Sequence, residues 1–196
     1  QKVFSISLNK NILNIEIQDY INIYKDDISK LAFSGSPFDN VSVLELIQQI
    51  ESKRKAKYKL PSWYQTEKIY YPPKLNLEQT SSEITANYKA SIINGKRIAD
   101  ITGGFGVDSY YFSNVFKEVH HFELNKKLSE IANYNFSVLT KKNVHCFNEN
   151  GINKVLNENF DVVYADPSRR HYNKGKVFYL KDCEPNIPLH LKNILK

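Results

Sequence analysis

Three short stretches of this sequence carry residue types that can do chemistry. The first is Asp100-Ile-Thr-Gly-Gly-Phe-Gly106, with glycines at 103, 104 and 106. Glycine accepts positive φ, and a glycine turn lets main-chain N–H groups come close to a ligand. The second is Glu123, 17 residues beyond Gly106. A carboxylate at such a place can accept from both hydroxyls of a ribose. The third is Asp166-Pro-Ser-Arg-Arg170. Its proline fixes φ and turns the neighbouring carbonyl outward, and its arginines suit bidentate contact with phosphate. Asp166, His171 and Tyr172 are the groups there that could take a proton. The combination describes a nucleotide-like ligand held beside a reacting centre.

Such residues need a scaffold, and the surrounding pattern supplies one. Ile98, Ala99 and Ile101 form a buried strand that enters the glycine turn. A helix follows over 108–116 with Phe112, Val115 and Phe116 toward a sheet. Strand 118–123, a helix over 125–139 burying Leu128, Ile131, Ala132 and Leu139, and strand 143–148 come next. Strand 160–165 then runs into Asp166. This alternation builds a right-handed parallel α/β sheet that holds ligands at the carboxyl ends of its strands. His120 and His121 share one strand and point to opposite faces, so they read as packing residues and not as one metal site.

Upstream, Ile21, Ile23, Tyr24, Ile28 and Leu31 give helical spacing from Asp19, and a loop covers 34–40. Residues 1–18 favour neither strand nor helix. Ser42 and Glu45 have capping-box spacing ahead of Val43, Leu44, Ile47 and Ile50, which place a second helix. That helix ends in Lys53-Arg-Lys-Ala-Lys-Tyr-Lys59, before Trp63 and Tyr64. The run reads either as a solvated helix end complementing its dipole or as a basic, aromatic surface for nucleic acid. Tyr70-Tyr-Pro-Pro73 reads as an extended linker. Thr80-Ser-Ser-Glu83 reads as a capping box opening a helix with Ile84, Tyr88 and Ile92 on one face, stopped at Asn94-Gly95. The expected division is a helical domain over 1–75 and an α/β domain over 76–196.

Asp100–Gly106, Glu123 and Asp166-Pro-Ser-Arg169 resemble the motifs of class I S-adenosylmethionine (SAM) methyltransferases. More narrowly, 77–90 and 166–170 are similar to bacterial methyltransferases that carry a C-terminal THUMP-like domain. The resemblance covers about residues 77–190. It implies a Rossmann-like sheet, here its first four strands, and SAM as cofactor. It further implies Thr80, Ser81 and Ser82 at the cofactor's carboxylate and Asp100 at its ammonium. Thr102, Gly103, Gly104 and Gly106 would form the turn, with Glu123 on the ribose and Asn148 near the adenine. Asp166, Pro167, Ser168 and Arg169 would face the methyl acceptor, for which RNA is the expected class. Ser168 and Arg169 stand where amino-methylating relatives have proline and an aromatic, which puts amino-group methylation in doubt. A non-catalytic module that binds SAM or RNA is the alternative. A dinucleotide oxidoreductase is another, since Gly104-x-Gly106-x-x-Ser109 nearly fits its fingerprint.

The bulk numbers are compatible with this. There are 27 Lys and Arg against 21 Asp and Glu, for a net charge of +6, which suits a polyanionic partner. Cys146 and Cys183 give neither a disulfide framework nor a metal pattern, as in a reduced, cytoplasmic setting. No apolar run reaches the length of a membrane span. With no methionine, the chain reads as a fragment of a longer protein. A sheet ending at its fourth strand leaves an edge that a second copy, or the chain's own tail, would be expected to cover.

Overall fold

In a computed structural model, residues 8–24, 28–168, 170–171 and 175–195 are described. Arg169 and Tyr172 lie outside them. Four parallel strands form the sheet: β1 (Arg97–Asp100), β2 (Glu118–Phe122), β3 (Val144–Phe147) and β4 (Val162–Tyr164), in spatial order β3-β2-β1-β4. The order reverses between β1 and β4, and that reversal opens a crevice at the strands' carboxyl ends. The α/β, Rossmann-like sheet is the expected one. Among the described residues no strand lies on the outer side of β4. β5 (Arg170–His171) and β6 (Gly175–Lys176) form a separate antiparallel pair.

The helices in chain order are α1 (Ile15–Ile23), α2 (Ile28–Ser34), α3 (Val43–Lys59), α4 (Pro61–Gln65), α5 (Lys74–Gln79) and α6 (Glu83–Ser91). They continue with α7 (Val107–Phe112), α8 (Lys126–Val138), α9 (Gly151–Val155) and α10 (Ile187–Ile194). None of the described helices is long and apolar enough to cross a membrane. The single helix expected from Asp19 is two, α1 and α2. Ile21 and Leu31 turn inward while Ile23 is exposed. The Ser42–Glu45 capping box is present: Glu45 N donates to Ser42 Oγ (3.3 Å), and Ser42 N donates to Glu45 Oε2 (2.9 Å). The inward face of α3 is Leu46, Gln49, Ile50 and Ala56, and Leu44 is exposed.

The cap of α6 differs from the expected one. Ser82 accepts from Thr85 N at 3.2 Å, whereas Glu83 reaches back across the fold, its Oε1 accepting from Ser62 N at 2.7 Å. Glu83 thereby caps α4, a role invisible in local spacing. Ala86 and Ala90 form the buried face of α6, because small residues let it approach α7 and Phe112 closely. Ile84, Tyr88 and Ile92 face outward, 84%, 64% and 63% exposed. In α7 the helix stops at Phe112, so Phe112 and Phe116 are buried but Val115 is exposed. Leu139, beyond the end of α8, is only half-buried.

The segment expected as a linker is extended but runs through the interior. Tyr70, Tyr71 and Pro72 are buried between α3 and α8. Asn135 of α8 holds Tyr70 at both ends: Tyr70 N donates to its Oδ1 (2.9 Å), and its Nδ2 donates to Tyr70 O (2.9 Å). Gln49 of α3 does the same for Tyr71, at 3.0 and 2.7 Å. A backbone without a ladder partner finds one in two buried amides, as burial demands. One apolar cluster runs from Ile12 through Trp63 to Phe105, Val107, Leu128 and Ile131. The helices of the first part and the sheet therefore share a core. Asn135→Ala strands two buried main-chain groups, and a loss of roughly 3 kcal/mol is expected in urea unfolding. A loss under about 1 kcal/mol would show the seam to be solvated.

Candidate functional site

The glycine turn joins β1 to α7. Gly104 (φ +56°) and Gly106 (φ +92°) need the left-handed region. Gly103 is required for a different reason: a Cβ there would lie 2.4 Å from His121 Nε2. The expectation that the glycine N–H groups face a ligand is not met. Gly103 N donates to Phe122 O, Gly104 N to Glu123 Oε2 and Gly106 N to Gly103 O, each at 2.9 Å. The turn is braced internally: β2 and the residue after it supply two of the acceptors, and the turn itself supplies the third.

Two carboxylates hold this turn. Asp100, fully buried, accepts from Thr102 N (3.1 Å) through Oδ1 and from Ser109 Oγ (2.7 Å) through Oδ2. Burial pushes its pKa up to about 7, against the pull of those bonds. Glu123 accepts from Gly104 N and, through Oε1, from Asn125 N (2.7 Å). Burial raises its pKa as well. Each Glu123 oxygen has a second lone pair, so a diol can still be accepted. His121 is completely buried beneath the turn, and neither ring nitrogen has a hydrogen-bond partner. Burial depresses its pKa to about 4, so it is neutral near pH 7.

Thr80 ends α5, and Ser82 starts α6. Between them, Ser81 Oγ donates to Asp108 Oδ2 at 2.9 Å. Thr102 Oγ1 accepts from Asp166 N at 2.7 Å, which ties the glycine turn to the Asp-Pro loop. Asn148 donates through Nδ2 to Glu123 O (2.8 Å) and Leu124 O (2.9 Å), so it shapes the loop after β2. Pro167 follows Asp166, and Ser168 exchanges backbone bonds with Glu184 (3.0 and 3.3 Å). Arg169 falls outside the described residues. Among the described residues no cluster of His, Cys, Asp and Glu is arranged to hold a metal. Burial pushes the Cys146 thiol up to about 12, which makes it a poor nucleophile.

Sequence reasoning missed three members of the site: Lys89, Asp108 and Tyr164. Lys89 Nζ donates to the Tyr164 hydroxyl (2.5 Å) and to Ser81 Oγ (2.9 Å), and lies 3.4 Å from Asp108 and from Asp166 Oδ2. Tyr164 OH donates to Asp108 Oδ2 at 3.2 Å. Burial, then the nearby Asp108, Asp100 and Asp166, raise the Tyr164 pKa far above the ordinary phenol range. Asp108 Oδ1 is buried with no hydrogen bond, only the ion pair with Lys89. One signal was available: Lys89 lies one helical turn after the buried Ala86, an odd place for a cation.

Beyond Glu123, a cavity of about 380 Å³ opens between Ile101, Leu124 and the Asn150–Ile152 turn on one side and the segment 181–186 with His190 on the other. Ile187, at the start of α10, joins the apolar cluster of Ala99, Ile101, Phe122 and Ile152. The tail thus crosses one face of the sheet, and among the described residues the outer edge of β4 carries no strand. The Lys53–Lys59 run is less of a surface than its sequence suggests. Lys53 donates to Asn22 Oδ1 (2.8 Å), Lys59 donates to Glu78 O (2.6 Å), and burial lowers both pKa values. Trp63 is fully buried against Phe105, so it cannot stack on a base.

No family model matches this chain, and no curated protein does. Solved structures do. A Porphyromonas gingivalis W83 protein named "putative methyltransferase" overlaps 95% of this chain with a TM-score of 0.74 and 26% identity. The chain spans 46% of that protein's length. A Streptococcus mutans "putative methyltransferase" in complex with SAH overlaps 58% of this chain and 63% of its own, at TM-score 0.42 and 20% identity. A Pyrococcus horikoshii "putative RNA methyltransferase" overlaps 70% and 69%, at TM-score 0.48 and 22% identity. Those two overlaps are too loose to carry an argument. The first establishes that this chain has the Rossmann-like fold of a structure named as a methyltransferase.

Proposed function

We propose that this chain carries the cofactor-binding half of a SAM-dependent methyltransferase that acts on RNA. The observation that carries the reading is the charge at the head of the crevice. Asp108, Glu123 and Asp166 gather at the carboxyl ends of β1, β2 and β4, above the buried Asp100 and with Lys89 as the cation among them. Asp108 Oδ1 is buried there with no hydrogen bond, only the ion pair with Lys89. An acidic head suits a ligand with a sulfonium and an ammonium, and it repels the diphosphate of a dinucleotide. The engaged N–H groups of the glycine turn weigh the same way, since a diphosphate needs them free.

When bound, SAM supplies a methyl group activated on sulfur. The chain's own residues hold it: Glu123 with its remaining lone pairs on the ribose, and the cavity past Leu124 and Asn150 around the base. Ser81 and Asp108 meet the amino-acid end. Asp166 and Pro167, fixed by Thr102 Oγ1, present the acceptor, with Ser168 beside them. An RNA acceptor is supported by the net charge of +6 and by the similarity of 77–90 and 166–170 to methyltransferases with a THUMP-like domain. A cytoplasmic setting suits the two free cysteines. The open edge of β4 is where a second copy would pair.

Calorimetric titration tests the cofactor. SAM and S-adenosylhomocysteine are expected to bind, and NAD is not. Glu123→Gln should weaken SAM by about 1–3 kcal/mol, the scale of a charge-assisted bond. NAD binding without SAM binding would replace this reading with the oxidoreductase one.

A further inference from the structure

We propose that the atom methylated is a hydroxyl oxygen, in RNA the ribose 2′-hydroxyl, and that Lys89 and Asp166 receive it together. This rests on the reading of the crevice as a methyltransferase site. The juxtaposition is a cation and a carboxylate at one opening: Lys89 Nζ stands 3.4 Å from Asp166 Oδ2, and their side chains are 25% and 63% exposed. The ammonium is held in place from behind by the Tyr164 hydroxyl, Ser81 Oγ and Asp108. It is a fixed charge, and it belongs to α6, whereas the carboxylate belongs to the loop after β4.

Nitrogen and oxygen acceptors make opposite demands on such a pair. An exocyclic amino nitrogen gains positive charge as its bond to carbon forms, and a fixed ammonium nearby opposes that. A hydroxyl oxygen gains negative charge as its proton leaves. The ammonium stabilises that charge, and the carboxylate is placed to take the proton. In the step, the bond from the sulfonium to its methyl carbon breaks with its electron pair returning to sulfur. The oxygen–carbon bond forms, and the hydroxyl proton passes to Asp166, whose exposure lets it leave to water.

A purely structural lysine would neutralise Asp108 and do nothing else, so the test needs readouts that stability alone does not move. Binding is measured by fluorescence anisotropy, without cofactor, to a mixed-sequence single-stranded RNA and to the same oligonucleotide with 2′-deoxyribose throughout. The wild-type protein is expected to prefer RNA about tenfold. Lys89→Met should erase that preference. Lys89→Arg, which keeps the charge, should retain part of it. In parallel, bulk bacterial RNA is incubated with wild-type protein and methyl-labelled SAM, then digested to nucleosides. The label is expected in 2′-O-methylnucleosides. This arm stands even if Lys89→Met fails to fold.

Label in base-methylated nucleosides, or an RNA preference that survives Lys89→Met, overturns the oxygen assignment alone. SAM binding with no label transferred overturns both the RNA acceptor and the oxygen assignment. Failure to bind SAM brings down the cofactor reading itself.

Discussion

Gly103→Ala is expected to cost about 3 kcal/mol or more of stability, and to abolish SAM binding in whatever remains folded. The added carbon would lie 2.4 Å from Nε2, 2.5 Å from Cδ2 and 2.7 Å from Cε1 of His121. Neither side can yield. The imidazole is completely buried and packs against Phe136, and both main-chain polar groups of Gly103 are bonded. Overpacking of a rigid core commonly costs about 1–3 kcal/mol, and a contact this short falls at or above the top of that range. Adding His121→Ala removes the obstruction. The double variant should recover at least about 2 kcal/mol of coupling in a double-mutant cycle. Gly104→Ala is the control. Its Cβ meets nothing closer than Thr102 O at 3.8 Å, so only the cost of φ +56° remains, about 1 kcal/mol. Urea unfolding of wild type, both single variants of the cycle, the double variant and Gly104→Ala checks this, and equal losses at 103 and 104 would refute the clash.

The second large effect is a dependence on pH that the wild-type protein conceals. Asp100 and His121 are register partners across β1 and β2, and both are buried. The folded pKa of His121 is about 4, against an ordinary 6.5. Between those values the unfolded chain binds a proton that the folded chain refuses, so stability falls as pH falls. The loss sums to roughly 3 kcal/mol. The folded pKa of Asp100 is about 7, against an ordinary 3.8. There the folded chain keeps a proton that the unfolded chain has released, so stability rises as pH falls, by roughly 4 kcal/mol. The two nearly cancel over the same window. Asp100→Asn should uncover the histidine: relative to wild type, it loses stability as pH drops from 6.5 to 4. His121→Gln should uncover the aspartate and gain stability from pH 7 to 4. Urea midpoints at pH 4, 5, 6 and 7 measure both, and parallel profiles for all three proteins would contradict the assignment.

What the sequence revealed follows from the range of its signals. Strand periodicity, the glycine turn and the Ser42–Glu45 box act within a few residues, and β1 to β4, α8 and α3 stand where those signals put them. The misreadings involve partners far apart in the chain. Glu83 caps α4 from 21 residues away, and Asn135 satisfies Tyr70 from 65. Local spacing contains neither bond, so a capping box was expected at Thr80 and no more than an extended linker at Tyr70. The site shows the same division. Asp100, Glu123 and Asp166 were legible because motif and strand end coincide. Lys89 was not, because its contacts to Tyr164 and Asp166 span 75 and 77 residues. His121 was correctly read as packing. Its position under Gly103 depends on the β1–β2 register, which no single strand encodes.

Phe105 sits in the middle of the glycine turn, buried, with its ring 4.9 Å from that of Trp63 in α4. Those rings belong to the cluster that continues into α3 and α1. The turn therefore has an apolar root in the helices that precede the sheet, and thermodynamic reciprocity applies to the pair. Whatever ligand tightens the turn must steady those helices by the same factor, and whatever loosens them must weaken the ligand equally. The opening helices are in this sense a lever on the crevice, reachable from a surface that never touches what the crevice holds.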